Sequence, residues 1–220
     1  MRLVVAITGA TGAVLGVRLL QELQLHQDVE THLVISRWAR STLNVETGLS
    51  PRAVSDLADY TYSPDDQGAA ISSGSFPVDG MIVMPCSMKT LAAIRTGYAD
   101  GLIARAADVT LKERRRLVLA PRETPLNEIH LDNMLTLSRM GAVVLPPMLT
   151  FYNRPSTVED LADHIVTRVL DQFAISSSRA RRWQGLPDAH TAPAPVGLDR
   201  SSLTATDRED RAHAPLHRLA

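Results

Sequence analysis

The residues best suited to chemistry follow a short apolar run. Arg116 to Ala120 reads Arg-Leu-Val-Leu-Ala, the composition of a buried parallel strand. Pro121, Arg122 and Glu123 come directly after it, and Thr124-Pro125 then gives a helix-start signal. In an open α/β sheet, ligands bind just beyond the carboxyl ends of the strands. An arginine beside a carboxylate at such a point suits holding an anion while moving a proton. A plain strand-end ion pair is the alternative. Other candidates lie elsewhere along the chain. Glu46 ends one helical pattern, Lys112 ends another, Tyr152 falls in a loop after Pro146-Pro147, and Arg168 lies on a late helix, either as a solvated arginine or as a ligand arm.

Two strand–turn–helix corners have the composition of anion cradles. Leu3 to Thr8 is a strand, Gly9-Ala10-Thr11-Gly12 a tight turn, and Ala13 to Gln24 a helix with Leu15, Leu19, Leu20 and Leu23 on one face. Small residues let backbone approach a phosphate, and the amides that start a helix point at it. Asp79-Gly80 leads to a strand over Met81–Met84. Pro85-Cys86-Ser87-Met88-Lys89-Thr90 then opens a helix running to Arg95. Hydroxyls and a lysine at that start suit a phosphate or a flavin. Neither corner is the full dinucleotide fingerprint.

The elements that position these groups alternate strand and helix. Thr31 to Ser36 is a strand ending in a hydroxyl, and Trp38 to Thr47 is a helix. Pro51 to Ala58 starts another helix, and Tyr60 to Asp66 is mixed strand and turn. Ala69 to Phe76 is a polar loop, either a linker or an ordered cover. Ala99–Leu111 and Leu126–Met140 read as helices, and Gly141–Leu145 as a strand. Ser156 to Phe173 is an amphipathic helix with Ser156 and Glu159 as its capping box. The expected fold is a single Rossmann- or flavodoxin-like α/β domain, with about six parallel strands flanked by helices. Residues 1–186 form that domain, and 187–220 read as a disordered or loosely docked tail.

Composition narrows the function. The chain has 220 residues, 45% hydrophobic and 21% charged, with a formal net charge of −1. That fits one globular domain and gives no basic footprint for nucleic acid. The single cysteine, Cys86, permits no disulfide within the chain, reads as a packed thiol, and fits a reducing cytoplasm. The apolar start is too short for a signal peptide or membrane span. No His/Cys cluster has metal-ligand spacing. Of the 23 basic residues, 21 are arginine; the two lysines, Lys89 and Lys112, both fall inside the candidate motifs.

Taken together, several segments resemble the UbiX-type flavin prenyltransferases. They include Thr8-Gly-Ala-Thr-Gly-Ala13, Val34-Ile-Ser36 with Glu46-Thr47, Ile71-Ser-Ser-Gly-Ser-Phe76 and Pro85-Cys-Ser-Met-Lys-Thr90. Further matches are Arg105-Ala-Ala-Asp-Val109, Leu111-Lys-Glu-Arg-Arg115, Pro121-Arg-Glu-Thr-Pro-Leu126, Phe151-Tyr152 and Arg168-Val-Leu-Asp171. The likeness runs from residue 2 to about 185, through Arg182-Trp183. Thr11 stands where the family often has serine, and Leu15 where an aromatic is common.

The resemblance implies a metal-independent enzyme that joins a dimethylallyl group from dimethylallyl phosphate to reduced FMN, first at the flavin N5 nitrogen, then closing a ring at the C6 carbon. Its prenylated FMN would serve a partner UbiD-type decarboxylase. The resemblance places FMN on Gly9, Ala10, Thr11, Ser36, Ser87, Met88, Lys89, Thr90 and Arg122. It places the substrate phosphate on Lys112, Arg122, Tyr152 and Arg168, and gives catalytic roles to Glu123, Glu46, Tyr152 and Lys112. It further implies a cytoplasmic homo-oligomer, a dodecamer by analogy, with sites shared between subunits. Two other readings stand beside it: a non-catalytic FMN-binding subunit of an aromatic acid decarboxylase, and a flavin-dependent cysteine decarboxylase. The second turn lacks the asparagine expected of the latter.

Overall fold

The computed structural model describes residues 1–177, 179 and 182–185. The tail expected over 187–220 lies outside the described residues. Six parallel strands form one sheet: β1 (Arg2–Ile7), β2 (Glu30–Ile35), β3 (Tyr60–Tyr62), β4 (Gly80–Cys86), β5 (Arg116–Pro121) and β6 (Val143–Val144). Their order is β3-β2-β1-β4-β5-β6. The chain therefore winds outward from β1 in one direction and from β4 in the other. This doubly wound arrangement puts a topological switch point between β1 and β4, the place where folds of this type bind their ligands.

The central strands are buried because helices cover both faces, which explains their unbroken apolar runs. On one face pack α1 (Ala13–Leu23), α2 (Arg37–Thr47), α3 (Pro51–Ser55) and α7 (Val158–Leu170), around Ile7, Leu19, Leu20, Leu33, Leu43 and Val169. On the other lie α4 (Met88–Thr96), α5 (Leu102–Lys112) and α6 (Glu128–Arg139), around Met81, Val83, Leu91, Leu102, Leu117 and Leu137. Gly16 lets α1 approach the sheet closely, since a Cβ there would fall 2.7 Å from the Met84 carbonyl oxygen. That approach seats the start of α1 directly beside the switch point.

Several expected boundaries shift. The helix expected from Thr124-Pro125 begins at Glu128, because Asn127 is the residue able to cap it: its side chain accepts from His130 N–H at 2.9 Å. Similarly, α7 is capped by Thr157 and Asp160 rather than Ser156 and Glu159, with Asp160 N–H donating to Thr157 Oγ1 at 3.1 Å. Asp160 also accepts from the backbone and hydroxyl of Ser156. Helix α7 ends at Leu170 and tightens into a single 3-10 turn over Asp171–Phe173. Helix α5 starts at Leu102 rather than Ala99, after Gly101 at φ 93° breaks the chain. The strand expected over Gly141–Leu145 keeps only two ladder residues.

Candidate active site

Backbone ties join the turns that follow the central strands. The Thr8 hydroxyl, buried after β1, donates to the Pro85 carbonyl at 2.8 Å and accepts from Ser87 N–H at 2.7 Å. Ser36 N–H donates to the Ile7 carbonyl at 3.0 Å, joining the ends of β1 and β2. Arg122 N–H donates to the Cys86 carbonyl at 3.1 Å, joining the ends of β4 and β5. The residues expected to hold a flavin are thus drawn to one edge by main-chain bonds and by the short, buried Thr8 side chain. Their convergence does not depend on long side chains finding one another.

Three helices start at this edge. Ser36 caps α2 by accepting from Ala39 N–H at 3.2 Å, and Ser87 caps α4 by accepting from Thr90 N–H at 3.3 Å. Ser87 and Thr90 also share a hydroxyl hydrogen bond of 3.0 Å. Ser36 retains its hydroxyl proton for a ligand, and the Ser87–Thr90 pair, which spends one of its two protons on the shared bond, retains one as well. Helix α1 has no side-chain cap on Gly12, whose φ is 95°. Its first turn therefore has no side-chain cap of its own and carries the partial positive charge of a helix start. Gly9 must remain small, since a Cβ there would lie 2.4 Å from Trp38 Cβ. Uncapped amides, small residues and hydroxyls at helix starts form a donor set that suits the phosphate and polar edge of a flavin mononucleotide.

The charged candidates sort into separate places. Glu46, in the last turn of α2, brings its carboxylate to the first corner, both oxygens 3.0 Å from Gly12 N. Arg122 and Glu123 stand exposed just past β5, where Glu123 accepts from Thr124 N–H at 3.2 Å. Lys89 lies exposed in the first turn of α4, after Met88. Tyr152 is half exposed, but it is not free in its loop. Its ring meets His164 of α7 edge-on at 5.7 Å and Trp183 at 5.4 Å. Arg168, one turn beyond His164 on α7, pairs with Asp171 at 2.8 Å. Asp171 also receives both guanidinium arms of Arg182, at 2.7 and 3.0 Å. The Arg182 hydrogen bonds hold the Asp171 carboxyl below the usual carboxylate range.

Lys112 lies elsewhere. It ends α5, four residues before β5 begins, at the amino end of the sheet and on the face opposite α7. Its ammonium pairs with Glu113, whose carboxyl is held below its usual range by that bond, and it abuts Gly74. Within one chain, Lys112 is therefore not brought to Tyr152 or Arg168. The polar loop over residues 69–76 is ordered, not a linker. Arg105 Nε donates to the Ser72 carbonyl at 3.0 Å, and Arg115 donates to the carbonyls of Gly74 and Phe76 at 2.9 and 3.1 Å. An open cleft lined by Arg2, Asp28, Glu30, Tyr60 and Asp79 lies at the amino end of the strands and contains none of the expected site residues. Cys86 is fully buried, and burial pushes its thiol up to about 12. It is a packing residue.

Sequence reasoning missed His164. The signal was available in the pattern, since His164 falls on the buried face of α7 among Ala162, Ile165 and Val166. A polar ring on an apolar stripe calls for a partner.

Fold and cradle define a flavin-binding class, and comparison with known proteins agrees: the family described as Flavoprotein matches residues 1–170. A probable UbiX-like flavin prenyltransferase of a Streptomyces species is 65% identical over 197 residues, covering 90% of this chain and 98% of that protein. Among solved structures, a dodecameric FMN-dependent UbiX-like decarboxylase from Escherichia coli is 63% identical with a TM-score of 0.83, covering 84% of this chain and 100% of that one. A UbiX protein in complex with FMN and dimethylallyl pyrophosphate is 55% identical, also with a TM-score of 0.83, covering 84% and 98%. The chain belongs to the UbiX-like flavin prenyltransferase family.

Proposed function

We propose that this protein transfers a dimethylallyl group from dimethylallyl phosphate to reduced FMN, giving prenylated FMN for a UbiD-type decarboxylase. The observation that carries the reading is the edge where Thr8, Ser87 and Arg122 are tied together beside Glu123. Gly9, Ala10, Thr11, Ser36, Met88, Lys89 and Thr90 complete the flavin side of that edge. Reduced FMN, when bound, supplies the nucleophilic nitrogen. The chain's task is to help the allylic carbon–oxygen bond break, its electron pair leaving with the phosphate. Lys112, Arg122, Tyr152 and Arg168 supply positive charge and a hydroxyl for the growing charge on the phosphate oxygens. Glu123 passes a proton to the departing phosphate and later accepts the ring proton, with Glu46 assisting. Residues 1–186 act as the catalytic domain.

This set can meet only between subunits, because the sheet separates Lys112 from α7. A homo-oligomer, a dodecamer like the Escherichia coli relative, is the corresponding assembly. The apolar side chains that α6 and the loop after β6 leave exposed support it: Ile129, Leu131, Leu135, Met148, Leu149 and Phe151. No helix among the described residues is long and apolar enough to cross a membrane. We place the protein in the cytoplasm, whose reducing conditions suit a single free, buried cysteine.

The test is anaerobic incubation of the protein with reduced FMN and either dimethylallyl phosphate or the diphosphate, followed by mass analysis of the flavin. A mass gain of one dimethylallyl unit is expected with the monophosphate. Unchanged flavin with both donors overturns the reading in favour of a passive FMN carrier. Release of carbon dioxide from a cysteine substrate would instead point to the decarboxylase reading.

A further inference from the structure

Tyr152 sits in a loop without regular structure, between β6 and α7. A phenol on such a loop points nowhere in particular unless neighbours fix it. Two rings do so, Trp183 at 5.4 Å and His164 at 5.7 Å, the latter nearly perpendicular at 86°. Trp183 offers no nitrogen contact to the hydroxyl, whereas His164 Nε2 lies 3.4 Å from it, a long hydrogen bond. His164 is 5% exposed, while Tyr152 is half exposed. The histidine is therefore anchored in the packed face of α7, and the tyrosine rests on it from the solvent side.

The two nitrogens of His164 are used unequally. Nδ1 is buried and has no hydrogen-bond partner among the described residues. The charged groups around the ring are Arg168 and Asp171 of the α7 segment and Arg182 of the C-terminal segment; on α1, packed against α7, Arg18 is itself occupied by Asp163. Burial, and then the Arg168 cation, hold the imidazole in its neutral form. A neutral imidazole carries one N–H. With that proton on Nδ1, a buried donor is stranded and the tyrosine must spend its own proton on Nε2. With the proton on Nε2, the stranded group is only a lone pair. Nε2–H then donates to the tyrosine oxygen, and the phenolic proton is left to point outward.

From this geometry we infer that His164 is a positioning residue for the transfer reaction: it donates through Nε2–H to the Tyr152 oxygen and so directs the Tyr152 hydroxyl proton at an oxygen of the substrate phosphate. The inference rests on the transferase reading and deepens it. His164 does not touch the substrate. It acts through Tyr152, whose ring Trp183 also meets edge-on at 5.4 Å.

The experiment measures dimethylallyl phosphate binding to the FMN-loaded protein by calorimetry, alongside turnover, for wild type, His164→Leu, His164→Gln, Tyr152→Phe and the Leu/Phe double variant. His164→Leu removes the donor and is expected to weaken binding about tenfold, the ordinary worth of one such hydrogen bond, with FMN affinity unchanged. His164→Gln restores an N–H donor at similar reach and recovers most of that loss. In the Tyr152→Phe background, His164→Leu adds nothing, because the group it orients is gone. Equal losses in both backgrounds, or a Gln variant no better than Leu, overturn the inference. So does a wild-type protein that does not bind the phosphate. Wild-type binding without turnover would sink the transferase reading alone, leaving the His164–Tyr152 coupling measurable in the binding data.

Discussion

Replacing Thr8 by valine tests whether the switch-point tie holds the cradle. The hydroxyl is buried and makes two bonds, to the Pro85 carbonyl at 2.8 Å and from Ser87 N–H at 2.7 Å. Valine keeps the shape and deletes both. The Pro85 oxygen retains Thr8 N–H at 3.2 Å, so the stranded group is the Ser87 amide. The Ser87 amide is partly buried, and losing its partner costs roughly 1–3 kcal/mol. For a chain of this size each kcal/mol lowers the melting temperature by about 2–4 °C, so a central loss of ~2 kcal/mol gives about 6 °C. Thr8→Ser keeps both bonds and loses one methyl, about 0.8 kcal/mol and ~2 °C. FMN affinity should follow the same order, with Thr8→Val weaker by about tenfold, as Ser87 and the start of α4 drift from α1. The assays are thermal unfolding by circular dichroism and quenching of flavin fluorescence. If Thr8→Val melts within about 1 °C of wild type, or Thr8→Ser falls as far as Thr8→Val, the tie does not organise the site.

Four further outcomes are expected. Glu123→Gln keeps its volume and loses proton transfer, so FMN binding should persist while single-turnover transfer falls about a hundredfold or more. Mixing Lys112→Ala with Tyr152→Phe, each nearly inactive alone, should restore part of the activity on subunit exchange; no recovery would argue that each chain completes its own site. Asp171 has a depressed folded pKa through Arg182 and then Arg168. Its contribution to stability is therefore present above the ordinary carboxylate pKa of about 3.9 and is lost as pH falls through the lower folded value. The stability gap between wild type and Asp171→Asn should be flat from about pH 5 to 8 and close in acid, as read by chemical denaturation at each pH. Cys86, buried and pushed up to about 12, should resist a thiol reagent at about pH 8 until denaturant is added.

Much of the fold was legible because its signals are local. Apolar β-type runs marked β1, β2, β4 and β5, and small-residue turns after β1 and β4 marked the corners. Positions that depend on capping were less legible. Thr124-Pro125 and Ser156 carry start signals, but Asn127 and Thr157 win because their side chains reach the third amide of the following turn. Roles that depend on tertiary partners were not legible at all. Nothing local says that Tyr152 rests on His164 and Trp183, or that Arg105 and Arg115 gather the loop over residues 69–76. The separation of Lys112 from Arg168 needed the sheet itself, since both are simply helix-end cations in the sequence.

That separation has a consequence for the proposed chemistry. The six-stranded sheet stands between the two cations, with Lys112 on the helix layer of one face and Arg168 on that of the other. Rate per chain should then fall on dilution through the range where assemblies come apart, as in a reaction of second order in protein. A damaged copy would silence part of its neighbour, so a minority of defective chains should depress activity by more than their share.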